Sequence, residues 1–367
     1  MQASGRATAF QHYDWMKAIA DHLAQPACAE VLVIEICDRS TGEPLMLLPL
    51  CRIRRRSWQA IEFLSLGVSD LSAPVLAAGL SIAPEDGQAL WQAICDVLPK
   101  ADFVIIDQIP ASIGGIPNPL ALLPQVSASP MTSYDTPIDG DPETIVARLA
   151  NSQTRRILKT SDRRMSEQGE VGFRHASTPD ELDELMHVMF EQRAERFREL
   201  GRYDLLALPA VRDFYRNAAG TSLGGRGPAH VFGLSVDGEW IATAYGLVHG
   251  SVFHLTVITM AGGQWSACSP GMATIARFIR WSRQNGISTM DFSVGEAPYK
   301  PGFGGQPRQL FSLSRPMTAK GRLIVASRRI ASRTKQEIKA RPALFRRLRS
   351  MMQIGRRIGH SVGRWRG

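Results

Sequence analysis

A serine, a proline and a glycine stand at the start of a predicted helix, in positions that suit the binding of a phosphate group. Ser269 is a good N-cap residue, because its hydroxyl can accept a hydrogen bond from a free N–H group of the first turn. Pro270 suits the first helical position, where the missing N–H costs nothing. Gly271 carries no side chain that would keep a ligand away. The free N–H groups and the positive end of the helix dipole therefore predict an anion site here.

A predicted strand that ends in an acidic residue follows this helix. Asp291 lies near the end of the strand at residues 289–293, and burial in such a place suits a carboxyl group to proton abstraction. Glu296, in the loop that follows, is the alternative base. Structural roles stay open for both, because Asp291 can bind nearby backbone N–H groups or pair with Lys300, and Glu296 can be a solvated loop charge.

Three further side chains could serve acyl transfer from a thioester, which needs a proton acceptor, oxyanion donors and an acid for the departing thiolate. Tyr299 could protonate the thiolate, although tyrosines in such positions also simply pack. His254, in the middle of a predicted strand, is either a hydrogen-bonded structural residue or a base that faces the cleft. Cys268, just before the helix start, is a possible nucleophile and the minor alternative.

The elements that must position these residues occur twice along the chain. In the first half, predicted strands at residues 31–38, 45–52 and 61–66 precede a helix at 84–98 and a strand at 103–107. In the second half, strands at 231–236, 241–248 and 251–259 precede a helix at 271–283 and the strand that contains Asp291. Each final strand ends near an aspartate, Asp107 or Asp291, and this pattern indicates an internal duplication.

The two predicted units differ at the helix start. The first helix begins with Glu85 and Asp86, which would repel a diphosphate, whereas the second begins with no acid. We therefore expect the second unit to bind a nucleotide-bearing cofactor, with acyl-CoA as the first candidate. A linker is predicted at residues 127–141, followed by a helix to about residue 152. Thr178 opens a further helix that runs to Leu200.

Composition and charge separate a folded body from a basic tail. The chain has 367 residues, 44% of them hydrophobic, and a net charge of +9. Residues 315–367 contain 16 Lys and Arg residues and a single acid, Glu337. In this tail Leu344, Leu348, Met351 and Ile358 recur at helical spacing, which favours an amphipathic helix on an anionic membrane surface. RNA binding is the rival interpretation, and a solvated tail is the plain alternative.

The cysteine pattern and the hydropathy favour a reduced, cytoplasmic protein that uses no metal. The five cysteines form no CxxC pair and no zinc-type spacing with histidine. No basic-then-apolar signal segment opens the sequence. No apolar run is long enough to cross a bilayer.

The combined motifs resemble the GNAT acetyltransferase superfamily in its tandem, Fem-like form, and most closely the branch associated with cellulose or exopolysaccharide biosynthesis. The resemblance rests on residues 269–271, on the string at 291–300, on Phe303 and on Leu66-Gly67-Val68-Ser69-Asp70. It covers about residues 8–315 and leaves out the basic tail.

This resemblance implies an α/β fold with mixed sheets, built as two tandem GNAT-like domains and a basic helical tail. The expected domains are a degenerate scaffold at residues 1–130, an acyl-CoA-binding domain at 141–315 and the tail at 316–367. The thioester would lie where the strands at 251–259 and 289–293 splay apart. Expected cofactor contacts are Ser269, Pro270, Gly271, Met272, Val257 and Thr259, and expected acceptor contacts are Asp70, Glu195, Arg196 and Lys300.

The predicted function is an acyl-CoA-dependent N- or O-acyltransferase that acts by direct attack on the thioester. The acceptor would be a sugar, a lipid-linked saccharide or a related cell-envelope or exopolysaccharide precursor. A Fem-type aminoacyl-tRNA-dependent peptidyltransferase and a non-catalytic scaffold of an exopolysaccharide assembly are the alternatives.

Overall fold

The first half of the chain contains two α-helices and eight strands within the residues described by the computed structural model, which are 6–80 and 82–340. They are α1 (Tyr13–Leu23), β1 (Ala29–Cys37), β2 (Pro44–Arg54), β3 (Gln59–Phe63), β4 (Val75–Leu76), α2 (Gly87–Val97), β5 (Phe103–Pro110), β6 (Ser112–Ile113), β7 (Ile116–Pro117) and β8 (Val126–Pro137).

The second half continues with a longer set of helices and ends in a helix that enters the basic tail. Its elements are α3 (Ile145–Leu149), α4 (Ser152–Ser166), β9 (Val171–His175), α5 (Pro179–Glu199), α6 (Pro209–Leu223), β10 (Ala229–Val236), β11 (Glu239–His249), β12 (Val252–Met260), α7 (Pro270–Gln284), β13 (Thr289–Val294), α8 (Tyr299–Gly302), β14 (Gln306–Pro316) and α9 (Ala319–Ala340).

One mixed sheet of twelve strands runs through both halves, in the order β1-β2-β3-β5-β14-β8-β13-β12-β11-β10-β9, with β4 beside β2. In the first half, β1, β2 and β3 are antiparallel, and β5 returns parallel to β3 after α2. In the second half, β10, β11 and β12 are antiparallel, and β13 returns parallel to β12 after α7. The predicted pair of similar α/β units is confirmed.

The two units exchange strands at the centre of the sheet. β8 follows the first unit in sequence but pairs with β13, and β14 follows the second unit but pairs with β5. β8 and β14 also pair with each other. The interpretation of residues 127–141 as a linker is therefore wrong, because most of that stretch forms a central strand. The domain limits 1–130, 141–315 and 316–367 remain predictions.

A bulge in each unit identifies equivalent positions. In β5 the bulge contains Gln108 at φ 59°, and in β13 it contains Ser293 at φ 61°. Such backbone is uncommon for residues other than glycine, so its recurrence marks a shared feature of the repeat. Equating the bulges aligns Asp291 with Ile106. The proposed equivalence of Asp107 with Asp291 is thus wrong by one residue, which in a strand places the side chains on opposite faces.

The helix α7 packs on the sheet through a continuous apolar face. The ring of Phe278 stacks on Phe253 at a centroid distance of 5.3 Å, and Ile275 and Ile279 are buried beside it. The preceding strands are connected by tight turns, the first with positive φ at both Asp237 and Gly238. The second unit therefore holds the start of α7 at a defined place above the sheet.

A second core joins the two units. Trp15 of α1 packs on Phe214 of α6, with ring centroids 4.7 Å apart, and both side chains belong to one buried cluster with Tyr245 of β11. Helices α1 and α6 and strands β9 and β14 were not predicted, whereas α9 lies within the helical tail that was predicted at residues 316–367. It placed a helix before residue 152, where the structure has the short α3, with the longer α4 after it.

The long helix α5 begins as predicted. The hydroxyl of Thr178 accepts a hydrogen bond from the backbone N–H of Glu181 at 3.3 Å, and Pro179 is the first helical residue. The carboxylate of Glu181 accepts a hydrogen bond from the backbone N–H of Ser177, not from that of Thr178. The cap is therefore related to a capping box but shifted by one residue.

The predicted amphipathic part of the tail between residues 344 and 358 lies outside the described residues. Within the described part of the chain, no helix combines the length and the apolar character that crossing a membrane requires.

Candidate functional site

The parallel strands β12 and β13 separate part of the way along the sheet. Their ladder ends at the pair formed by His254 and Asp291. Beyond this pair, β12 continues to Met260, and β13 passes through the bulge at Ser293. Diverging parallel strands leave a crevice at their carboxyl ends, which is where open α/β sheets bind ligands.

A cavity of about 480 Å³ lies beside the start of α7, and we call it the α7 cavity. Its walls come from the ends of α5 and β12, from the segment before α7, from the first turns of α7 and from α8. The predicted site residues in its lining are Glu195, Arg196, Ser269, Pro270, Gly271, Met272 and Tyr299. Its volume is in the range of small-molecule sites.

The start of α7 differs from the prediction in one respect. Ser269 occupies the N-cap position, but its backbone is left-handed (φ 49°, ψ 50°), and its hydroxyl makes no capping hydrogen bond. The expectation that this hydroxyl caps the first turn is wrong, because side-chain capping goes with an extended backbone at that position. Pro270 is the first helical residue, as predicted. Among the described residues, the backbone N–H of Gly271 has no hydrogen-bond partner.

Gly271 is buried at the wall of the α7 cavity. A Cβ atom at this position would lie 2.7 Å from Cε of Met260 and 3.8 Å from Cδ1 of Ile258. Both of those side chains also line the cavity. The absence of a side chain therefore lets α7 approach β12 and keeps the space beside its first N–H group open.

Val257 and Thr259 do not line the α7 cavity. Side chains alternate across a strand, and here Ile258 faces the cavity while Val257 is buried in the core shared by the two units. The hydroxyl of Thr259 donates a hydrogen bond to Oε1 of Gln192 at 2.7 Å. Neither side chain therefore makes the cofactor contacts expected of it in this cavity.

Charged residues of α5 lie in the α7 cavity rather than in a separate acceptor site. Glu195, Arg196 and Glu199 are exposed and contribute to its lining. Nη1 of Arg196 lies 3.1 Å from Oε2 of Glu199. The structure thus places the expected acceptor residues Glu195 and Arg196 beside the expected cofactor contacts.

A buried histidine–aspartate pair lies where the strands separate. Nδ1 of His254 is 2.9 Å from Oδ2 of Asp291, and the two side chains are 5% and 10% exposed. Asp291 also accepts a hydrogen bond from the backbone N–H of Ser293 at 2.6 Å, and the ring of Phe10 packs near the imidazole. Nε2 of His254 makes no hydrogen bond to the described residues. A carboxylate that orients one imidazole nitrogen leaves the other able to accept a proton.

Asp70 of the first unit lies next to this pair. Burial raises the pKa of Asp70 to about 6, and the charge of Asp291 acts in the same direction. Ser293, Lys300 and His254 lower it by smaller amounts. A carboxyl group that titrates near neutral pH is suited to proton transfer, so Asp70 is a candidate base beside its predicted role in acceptor binding.

The segment that carries Asp70 is held on both sides by the N-terminal part of the chain. Nε1 of Trp15 donates a hydrogen bond to the hydroxyl of Ser69 at 3.1 Å. The side-chain amide of Gln11 donates to the backbone carbonyl of Leu71 at 3.0 Å. These bonds fix the backbone around Asp70, and no local sequence signal links the three regions.

Tyr299 joins the α7 cavity to the buried acids. Burial raises the pKa of Tyr299 to about 12, with further contributions from the charges of Asp70 and Asp291. Its phenol therefore stays protonated at neutral pH and can donate a hydrogen bond or a proton. This placement agrees with the predicted role of Tyr299 as the acid for a leaving thiolate, which stays a prediction.

Lys300 and Glu296 occupy places that do not suit their predicted roles. Nζ of Lys300 donates hydrogen bonds to the backbone carbonyls of Ser293, Val294 and Gly295 at 2.8, 3.2 and 2.7 Å. An ammonium group has three protons, so none is left for a substrate, and Lys300 holds the bulge of β13. Glu296 is exposed in the loop after β13 and has no hydrogen bond or ion pair with the described residues.

A second cavity of about 730 Å³, which we call the His254 cavity, shares no lining residue with the α7 cavity. His254 and Asp291 form part of its lining, together with Asp135 of β8 and Arg308 of β14. Nε of Arg308 donates to both carboxylate oxygens of Asp135, at 2.9 and 3.0 Å. Sequence reasoning missed these two residues because it predicted neither strand.

The polar cluster of Asp70, His254, Asp291 and Tyr299 therefore lies between two cavities. Tyr299 contributes to one lining, and His254 and Asp291 contribute to the other. Such an arrangement can bring a donor and an acceptor together at a proton-transferring centre. In the described ranges 6–80 and 82–340, no group of three or more histidine, cysteine or acidic side chains is placed to hold a metal ion.

Comparison with known proteins identifies the second unit. Residues 152–301 match the family model described as the acetyltransferase (GNAT) domain. This segment contains α4 to α7, β9 to β13 and most of α8, and so includes the α7 cavity and the His254–Asp291 pair. None of the curated proteins compared with the chain matches it.

Solved structures show the same fold over most of the chain. FemX is 11% identical, with a TM-score of 0.58 over 84% of this chain and 93% of its own. A conserved protein of unknown function from Bacteroides thetaiotaomicron is 12% identical, with a TM-score of 0.54 over 86% and 93%. The C-terminal domain of a putative lysylphosphatidylglycerol synthetase from Agrobacterium fabrum is 10% identical, with a TM-score of 0.50 over 86% and 95%. Residues 152–301 are therefore similar to the acetyltransferase (GNAT) domain, within a fold that the chain shares with FemX.

Proposed function

We propose that the protein is an acyl-CoA-dependent N- or O-acyltransferase. One observation carries this proposal, which is the buried His254–Asp291 pair at the point where β12 and β13 diverge, between the α7 cavity and the His254 cavity. GNAT domains use acyl-CoA, and the α7 cavity is the part of the described structure that suits its diphosphate and thioester arm.

The start of α7 fits a diphosphate. The N–H of Gly271 is unpaired, the helix dipole places partial positive charge there, and no side chain at position 271 fills the space next to Met260. Pro270 contributes no N–H, and the N–H groups of Met272 and Ala273 donate to the carbonyl of Ser269, so Gly271 supplies the free donor of the first turn. Gly271 is the position at which an added side chain would interfere most directly.

The polar cluster provides for the proton movements. Nε2 of His254, oriented by Asp291 through Nδ1, accepts the proton of the attacking amine or hydroxyl. The phenol of Tyr299 donates a proton to the departing thiolate, and its raised pKa keeps it protonated until then. Both reactants bind at once, so no covalent enzyme intermediate is required, and buried Cys268 has no part in the reaction.

The His254 cavity supports a polar acceptor of low net charge. Its carboxylates, Asp135 and Asp291, are matched by the two guanidinium groups of Arg6 and Arg308. Serine and threonine hydroxyls contribute to the remaining lining. We propose a sugar amino or hydroxyl group on a cell-envelope, cellulose or other exopolysaccharide precursor as the acceptor class.

The role that we propose for the basic tail is to hold the enzyme near its acceptor. With 16 Lys and Arg residues and one acid from residue 315 onward, it would hold the enzyme at an anionic membrane surface near a lipid-linked acceptor. Binding to vesicles with and without phosphatidylserine, compared for the full chain and a chain that ends at residue 340, tests this role separately.

Calorimetric titration of acetyl-CoA, longer acyl-CoAs and free CoA tests the cofactor site. Gly271→Glu should abolish binding, because its carboxylate and bulk enter the diphosphate position. Gln284→Glu adds the same charge at the exposed far end of α7 and should bind as the native chain does. Equal binding by the native chain and Gly271→Glu would refute the site, and no binding by the native chain would refute the acyl-CoA assignment.

Thiol release from acetyl-CoA in the presence of amino sugars and oligosaccharides tests the reaction itself. His254→Asn should retain CoA binding and lose about 100-fold or more in acyl transfer, as expected for removal of a general base. Binding of acetyl-CoA without transfer to any acceptor, by the native chain and the variant alike, would favour the non-catalytic scaffold.

A further inference from the structure

Helix α4 carries a concentration of basic side chains next to the start of α7. Arg155, Arg156, Lys159, Arg163 and Arg164 lie on this helix of 15 residues. Its only acid within those bounds is Asp162, which pairs with Arg277 of α7 at 3.0 Å. The described part of α4 therefore presents a strongly positive surface.

The basic residues of α4 fall into two groups. Arg163 pairs with Glu167 at 3.0 Å, and Arg155 donates to the backbone carbonyl of Ala147 at 3.1 Å. Arg156 and Arg164 instead line a separate pocket of about 240 Å³ together with Ser269. Arg156 makes no hydrogen bond or ion pair within the described ranges, and Arg164 reaches only the backbone carbonyl of Ala267.

This pocket, which we call the α4 pocket, adjoins the α7 cavity. Ser269 belongs to the lining of both, and the segment of residues 266–269 separates them. Arg156 and Arg164 are two turns apart on one side of α4, with Thr160 between them in the same lining. A ligand whose diphosphate lies at the start of α7 would therefore be next to the pocket that the two arginines line.

The charges around the α7 cavity favour this direction. On the α5 side the lining carries Glu195 and Glu199 against the single cation Arg196, which would repel further phosphate groups. On the α4 side the pocket lining carries two arginines and no carboxylate. Guanidinium groups bind phosphate in a bidentate manner more strongly than neutral donors do.

Helix α4 is held against α7 by a hydrogen bond, a buried apolar side chain and an ion pair. The hydroxyl of Ser161, which is buried, donates to the backbone carbonyl of Cys268. Leu158 packs in the core beneath α7, and the Asp162–Arg277 pair links the two helices at the surface. Arg156 and Arg164 are therefore presented at a fixed distance from the first turn of α7.

We propose that Arg156 and Arg164 bind the 3′-phosphate at the nucleotide end of the acyl donor. This inference rests on the proposed function, because it assumes that the diphosphate of a coenzyme A thioester lies at Gly271. The α4 pocket is then a recognition site that distinguishes coenzyme A from carriers without this phosphate, while the reacting end stays at the His254–Asp291 pair.

Titration calorimetry with coenzyme A and with 3′-dephospho-coenzyme A tests the inference. The native chain should bind coenzyme A about tenfold or more tightly than the dephospho form, the difference expected for loss of a charge-assisted contact. The double variant Arg156→Gln/Arg164→Gln should bind both ligands with the affinity of the native chain for the dephospho form. The matched control Arg155→Gln/Arg163→Gln alters the same helix outside the pocket and should retain the native preference.

The outcomes separate this inference from the proposed function. If the double variant keeps the native preference for coenzyme A, the assignment of the two arginines is wrong and the acyltransferase proposal stands. If the native chain binds neither ligand, the cofactor proposal itself fails. A third arm titrates unfractionated tRNA, since RNA also presents phosphates. Tight tRNA binding that the double variant loses, with no preference between the two coenzymes in the native chain, would assign α4 to RNA and overturn the inference.

Discussion

Replacing Asp70 by asparagine should make the protein more stable and less active. Asp70 is a carboxyl group held beside Asp291 in a largely buried cluster, and burial raises its pKa from an ordinary value of 3.8 to about 6. A raised pKa means that folding disfavours the ionised form. The native protein therefore tolerates an unfavourable charge at the junction of its two units.

The magnitude follows from the pKa difference. A change from 3.8 to about 6 corresponds to about 3 kcal/mol of free energy of unfolding once both states are ionised. Asp70 binds its proton more tightly in the folded state than in the unfolded state. Its contribution to the free energy of unfolding is therefore fully present below about pH 4 and is lost as the pH rises through about 6. Asparagine cannot ionise and escapes this loss.

The assay is urea denaturation of the native chain and Asp70→Asn at pH 4.5, 6 and 7.5. The variant should gain about 1 kcal/mol at pH 4.5 and about 3 kcal/mol at pH 7.5. Asp183→Asn, an exposed change on α5, is the control and should stay within about 0.5 kcal/mol of the native chain at each pH. Groups that lie close to Asp70, namely Asp291, Lys300, His254, Tyr215 and Tyr299, are unchanged in both variants.

Activity should move in the opposite direction. If Asp70 transfers protons or supports the charge on His254, acyl transfer by Asp70→Asn should fall about 100-fold or more at neutral pH, with little change in CoA binding. The native rate should decline below about pH 6, where Asp70 becomes protonated. A gain in stability that does not depend on pH, or a loss of stability at pH 7.5, would refute the account of Asp70 as a strained, ionised carboxylate.

Three further changes test the surroundings of the site. Lys300→Met should lower the free energy of unfolding by roughly 3 kcal/mol in urea, because the carbonyls of residues 293–295 lose their donor, and an unchanged midpoint would contradict this. Gly246→Ala should destabilise by about 2 kcal/mol or more in the same assay, since its Cβ would lie 2.1 Å from Cζ of the buried Phe253. Burial and the neighbouring His175 lower the pKa of His230 to about 4 in the folded protein. As the pH falls below 6.5, the unfolded state therefore binds a proton before the folded state does, and the free energy of unfolding falls by about 2 kcal/mol at pH 5. Stability curves at pH 7 and pH 5 should show that His230→Phe removes this loss.

The elements with strong local signals were predicted closely. The helix at residues 271–283 is α7, and the strand at 289–293 is β13, each within one or two residues. Their apolar periodicity and their flanking turns depend on neighbours in sequence. The start of α7 lies at the wall of a cavity, which agrees with the anion site predicted there. The hydroxyl of Ser269, however, does not cap the helix.

The central strands could not be predicted from local signals. β8 has a mixed burial pattern, with prolines at both Pro130 and Pro137, and so resembles a connector in sequence. It becomes a strand because its partners β13 and β14 come from the far half of the chain. Pairing with distant strands overrides weak local propensity.

The sequence by itself determined that the chain contains two similar α/β units, and that acids directly precede only the first of the two equivalent helices, α2 and α7. Both properties depend on residues that lie close together along the chain. Only the tertiary structure decided what each polar side chain does. His254 and Asp291 are hydrogen-bonded across two strands, and Lys300 donates its three hydrogen bonds to backbone carbonyls. Asp70 comes from the other unit, and its pKa is raised. The protonation and the reach of a side chain depend on burial and on partners far away in sequence, and these exist only once the two units have folded against each other.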